Sequence, residues 1–182
     1  MHAISFFLAA KLLLASAVED ATPVESIESV QAALISSSHF RSCALQRSRS
    51  ATTDRESLTH ALQPVVAEKA TASPTVETVA RMYQTLLEIA AKTVVTASLA
   101  RETAEASAEV HRRVARLPEP LRARLAVSDA ADKATENAAL AQAAALDTEQ
   151  IFHDLKPRVN AYVDSFLPRK AESFKPIRRK TK

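Results

Sequence analysis

Twelve positions between Val79 and Leu117 recur at alternating spacings of three and four residues: Val79, Met82, Leu86, Ile89, Thr93, Thr96, Ala100, Thr103, Ser107, Val110, Val114 and Leu117. That is the buried seam of one long helix. A second series follows Pro120 and runs Val127, Ala131, Ala134, Ala138, Ala141, Ala145, Thr148, Phe152, Leu155, Val159, Tyr162, Phe166. Folding the chain back at Pro118-Glu119-Pro120 sets residue x against residue 238 − x. Large residues then meet large ones at both ends, and the small stretch Thr93–Ser107 meets Ala131–Ala145. The pattern predicts an antiparallel helical hairpin roughly 65 Å long, closely packed in its middle. Pro157 is expected to bend or split the second arm near Asp154.

Shorter elements precede the hairpin. Thr22-Pro23-Val24-Glu25 reads as a capping box with proline at the first helical position, opening a helix that extends to about Ile35. Ser36–Thr53 is rich in serine and arginine and reads as a loop, within which His39–Gln46 could form a turn of helix. Thr53-Asp54-Arg55-Glu56 is a second capping box, starting a helix through Leu58, Leu62, Val65 and Val66 that Pro64 kinks or delays. Those helices are expected to thicken only the end that holds both termini, leaving a two-helix spike at the Pro118–Pro120 tip.

Composition narrows the fold class to all-α, an elongated bundle of three to four helices. The chain of 182 residues contains no glycine. Primed hairpin turns, bulges and phosphate-cradling loops depend on glycine, so a multi-stranded sheet with tight turns is hard to build and a glycine-rich nucleotide loop is excluded. The formal charge of +3 is too small to argue for nucleic acid.

Both ends differ from the body. Residues 1–17 hold an apolar run, Ile4–Leu14, interrupted by Lys11 and followed by Ala15-Ser16-Ala17, the small-x-small pattern of a signal-peptidase site. A cleaved signal peptide is the expectation there, with an uncleaved anchor, a presequence or a buried helix as alternatives. Residues 18–167 form the bundle. Residues 168–182 form a basic tail with seven Lys or Arg from Arg169 onwards, expected to be disordered.

Little in the chain carries chemistry. The five histidines lie at no metal-binding spacing with one another, and His39 with Cys43, four residues apart, is at most half a site. Cys43 is the single cysteine, so no intrachain disulfide forms. Glu102, Glu105 and Glu109 read as a solvated outer face. No catalytic residue, cofactor or metal is expected, and the chain reads as no enzyme. The one candidate site is an anion-binding tip formed by Arg112, Arg113, Arg116, Arg122 and Arg124 beside His111, with Glu119 as the sole local counter-charge. Expected partners are a protein or an anionic glycan or lipid surface, with no specific nucleic acid and no small-molecule substrate.

The stretch from Thr103 to Ile151, with Ala104-Glu105-Ala106-Ser107-Ala108-Glu109-Val110 and Lys133-Ala134-Thr135-Glu136-Asn137-Ala138-Ala139-Leu140, resembles the alanine-rich helical surface proteins of African trypanosomes. These are the brucei alanine-rich and glutamate- and alanine-rich types, related in fold to the variant surface glycoproteins. The resemblance implies a long helical hairpin with shorter packed helices, and a secreted or surface-displayed rod acting as coat, spacer or binding module. Such proteins usually end in a hydrophobic tail exchanged for a lipid anchor, whereas this chain ends Ile177-Arg178-Arg179-Lys180-Thr181-Lys182, with no evident anchor signal. An intracellular scaffold that pairs with partner helices is the alternative.

Overall fold

A computed structural model describes residues 25–63 and 75–166. Four helices follow in order: α1 (Ile27–Leu62), α2 (Val76–Arg116), α3 (Glu119–Arg122) and α4 (Leu125–Phe166), with no strand among the described residues. The all-α elongated bundle is confirmed, and its frame is three long helices lying side by side. The leader, most of the Thr22–Glu25 capping box, Pro64 and the basic tail lie outside the described residues.

The hairpin forms as its periodicity predicts. Every seam position of α2 from Val79 to Val114 is buried or half-buried, and so is Leu117 just beyond the helix. Thr75 caps α2, its hydroxyl accepting from the Thr78 amide at 3.2 Å. Pro118 ends the helix, because a following proline drives Leu117 out of the helical region, to φ −63° and ψ 144°.

The fold point lies beyond residue 119. Thr93 bonds to the Thr148 carbonyl, Tyr83 to Asn160 and His111 to Thr135. Folding at 119 would have set them against residues 145, 155 and 127. The difference arises because the connection contains a helical turn, α3, which moves the centre of the hairpin towards Arg122.

Two expectations about helix continuity are corrected. The loop at Ser36–Thr53 is instead the middle of α1, an unbroken helix of 36 residues capped by Ser26. Its hydroxyls bond back into the helix: Ser36 to the Ala32 carbonyl, Ser42 to Ser38, Thr52 to Ser48 and Ser57 to Thr53. Such bonds satisfy the side chains without breaking the backbone ladder. A seam runs through the same stretch at Val30, Ala33, Ser37, Ala44, Ser48, Ala51, Leu58 and Leu62. Pro157 neither splits α4 nor ends it. Pro157 and His153, whose carbonyl loses its helical donor, are both exposed, so water can satisfy the freed oxygen.

A continuous α1 removes the two-helix spike. Ser29 meets Arg113 and Asp54 pairs with Lys92, so α1 runs antiparallel to α2. Ser37 meets Asn137 and Ser48 meets Asp147, so it runs parallel to α4. At 1.5 Å per residue the three helices make a rod of roughly 55–65 Å, three helices thick along its length.

The core falls into three zones. Leu58, Leu62, Met82, Leu86, Ile89, Ile151, Leu155 and Val159 fill one end. Val30, Val110, Leu117, Val127, Ala130 and Ala134 fill the tip. Between them Ala44, Ala100, Ala141, Ala144 and Ala145 let the helices approach closely. The α4 seam is broader than its predicted series, since Ala130, Asn137, Ala144 and Ile151 are also buried. A helix that packs against two neighbours buries two adjacent stripes.

Candidate anion-binding tip

The tip is built from the end of α2, the α3 turn and the start of α1. Helical spacing places Glu109, Arg112, Arg113 and Arg116 close together on α2, because residues three and four apart share a face. Arg113 Nε donates to Glu109 Oε1 at 2.7 Å, and its Nη1 donates to the Ser29 carbonyl of α1 at 3.0 Å. Arg112 Nη2 stands 2.9 Å from Glu109 Oε2. Arg116 Nη1 lies 3.8 Å from Oε1 of Glu25, whose other oxygen accepts from the Ser29 hydroxyl at 2.7 Å. His111 bonds to Thr135 across the hairpin at 3.0 Å.

Glu119 is therefore not the sole counter-charge. Glu109 sits among the three α2 arginines, half-buried instead of on a fully solvated face, and α1 brings Glu25 from far away in sequence. The hydrogen bond from Arg113, with the charges of Arg112, Arg113 and Arg116, holds the Glu109 carboxyl below its ordinary value of 4.5, against the opposing effect of partial burial. Arg113 is half-buried and joins two helices, which makes it a clamp. Arg122 and Arg124 are exposed, and neither forms an ion pair with a described residue. The five predicted arginines thus divide into three paired with carboxylates, of which Arg113 and Arg116 reach across to the start of α1, and two pointing at water. An anion meeting this tip would be held chiefly by Arg122 and Arg124, with the exposed sides of Arg112 and Arg116 beside them.

Elsewhere the surface offers little enclosure. His39 Nε2 stands 3.8 Å from Cys43 Sγ on α1, and no group of three or more metal-ligating side chains occurs among the described residues. A groove of about 380 Å³ between α2 and α4 is lined by Thr93, Val94, Ala97, Ala145 and Leu146. Among the described residues no helix is long and apolar enough to cross a membrane.

The polar contacts between helices could not be paired from the sequence. Asp54 with Lys92, Ser48 with Asp147 and Asn137 with Ser37 and Ser38 each join α1 to another helix. The available signal was the heptad position of Ser37 and Ser48, in line with Val30, Ala44 and Ala51. Comparison with family models, with curated proteins and with solved structures finds no match for this chain.

Proposed function

We propose that this chain is a non-enzymatic helical rod, secreted or displayed at the surface of a parasite cell, serving as coat, spacer or binding module. The carrying observation is the use of length: three helices of 36, 41 and 42 residues lie side by side, and their shared interior is a narrow seam. A rod arranged this way sets its two ends roughly 55–65 Å apart, and its elongated, mostly polar exterior suits a spacer. The Ile4–Ala17 leader pattern supports export, and the resemblance of Thr103–Ile151 to trypanosome alanine-rich surface proteins supports the cell type. The arginines at the tip give the rod an anionic glycan or lipid surface as a reachable partner, through Arg122 and Arg124 above all.

The test is the location and first residue of the protein in its own cells. Recovery from the medium or the cell surface with Val18 as the first residue is the expected result. Recovery from the cytosol beginning at Met1 would overturn the reading.

A second reading, an intracellular scaffold that pairs with helices, is favoured by one observation. α2 carries an exposed apolar ridge that includes Leu87 at 69% and Val94 at 71% exposure. The same N-terminal measurement separates the two.

A further inference from the structure

The middle of α1 is held differently from its ends. Val30 packs into the tip core, and Leu58 and Leu62 fill the core at the other end. Over the roughly seven turns between them, the buried positions of α1 are Ala33, Ser37, Ala44, Ser48 and Ala51. Leu34, Phe40 and Leu45 reach only half-burial there. Burial of apolar area is what chiefly holds a helix to its neighbours, so this stretch relies on close contact of small residues and on polar bonds.

Arg41 is the weakest point of that stretch. It lies four residues after Ser37 and three before Ala44, in line with the seam, yet it carries a charge. The side chain is half-buried, and its Nε is the one buried side-chain nitrogen or oxygen among the described residues with no hydrogen-bond partner. A buried donor without an acceptor opposes docking, and it regains a partner from water whenever the helix lifts. The cross-helix bonds nearby, Ser48 to Asp147 and Asn137 to Ser37 and Ser38, also exchange for water at modest net cost.

Intrinsic helix preference points the same way, independently of packing. Residues 36–53 hold six serines and two threonines among eighteen, whereas the facing stretch of α4, 136–147, holds six alanines among twelve. Serine and threonine compete with the helix through bonds to nearby backbone, and alanine is the best helix former. Once lifted off its neighbours, the middle of α1 has little preference to stay helical, while α4 keeps its own.

We propose that the middle of α1, residues 36–53, is a strap that opens locally while its two ends and the α2–α4 hairpin stay packed. Opening lets water reach the alanine zone around Ala100, Ala141 and Ala144 and frees the Arg41 guanidinium. At mid-length the rod then passes from three helices to two, so its compliance is concentrated at one place. The device goes beyond the reading of the chain as a rod, stands on the described helices alone and does not depend on export.

Hydrogen exchange of the full chain, read by mass spectrometry, tests it. Corrected for intrinsic rates, amides in 36–50 should exchange about tenfold or more faster than those in 95–107 of α2 and 136–147 of α4. Their exchange should also respond more weakly to denaturant, because opening one segment exposes less surface than unfolding the rod. Arg41→Leu, which sets an apolar side chain in the seam, should slow exchange across 36–50 by about fivefold or more. Gln46→Leu, at an exposed position with similar helix preference, should change it by less than about twofold. Equal protection in the three helices, equal response to denaturant, an Arg41→Leu variant that exchanges as fast as wild type, or an equal slowing by Gln46→Leu would each overturn the proposal.

Discussion

Asn137 on α4 donates through Nδ2 to the hydroxyl of Ser37 on α1, 3.3 Å away, at a point where both side chains are buried. The same amide donates to Ser38 at 3.1 Å. In a middle zone lined by alanine, packing alone fixes the sliding of α1 poorly, because one small residue resembles the next. A buried amide that must find its hydroxyls favours one alignment.

Removing that amide should therefore cost more than an exposed contact of similar type. Asn137→Ala is expected to destabilise by about 1–3 kcal/mol, since it strips buried partners of their bond. Asn160→Ala, which breaks the exposed bond from Tyr83, should cost under about 0.5 kcal/mol. Urea unfolding of both variants gives the comparison, and equal losses would mean that the Asn137 contact does not set the alignment.

Tight packing in the middle gives a second contrast. Ala141 is fully buried among Ala44, Ala100 and Ala145, whereas Ala143 two residues on is exposed. Ala141→Leu should lose about 1–3 kcal/mol by overpacking, and Ala143→Leu should stay near zero. Thermal melts decide it. Ala138, expected from the predicted seam to face α2, is only half-buried, so a leucine there should fall between the two.

What the sequence disclosed follows from residue size. The seams of α2 and most of α4 were legible because their apolar and small residues alternate with charge at heptad spacing. The middle of α1 was not, because Ser37 and Ser48 occupy seam positions while Arg41, Arg47 and Arg49 crowd around them, and serine with arginine reads as a loop. Without a continuous α1, nothing placed Glu25 beside Arg116, so the tip looked far more cationic than it is. Of the two arginines that face water, Arg124 has no acidic residue three or four positions away, whereas Arg122 has Glu119 three before it, so spacing alone did not separate the pair from the other three.

The tip arginines should separate by role. Arg113→Gln removes a clamp to both Glu109 and the Ser29 carbonyl and is expected to cost about 1–3 kcal/mol. Arg122→Gln with Arg124→Gln should leave the melting temperature unchanged while weakening retention on heparin or on acidic vesicles at low salt. Loss of stability without loss of retention in the second variant would reverse the assignment.

Glu109 gives the pH dependence. Its folded pKa is depressed, so it binds fewer protons folded than unfolded, and its stabilising effect is full above the ordinary value of 4.5. That effect fades as pH falls below 4.5 and is gone once pH has passed through the folded value. Wild type should therefore be more stable than Glu109→Gln at neutral pH, and the gap should narrow on acidification through that window. Denaturant titrations at a series of pH values check it, and a gap that widened in acid would contradict the arrangement.

The account rests above all on α1 running the full length of the rod, with its first turn at the hairpin tip. Spin labels at exposed Glu28 and Ala115, in a Cys43→Ser background, measure this directly by pulsed electron–electron resonance. Neighbouring helix axes lie about 8–10 Å apart, so a single narrow distance below about 25 Å is predicted once label arms are included. A broad distribution, or one centred beyond about 40 Å, would place the start of α1 away from the tip and contradict the three-helix rod.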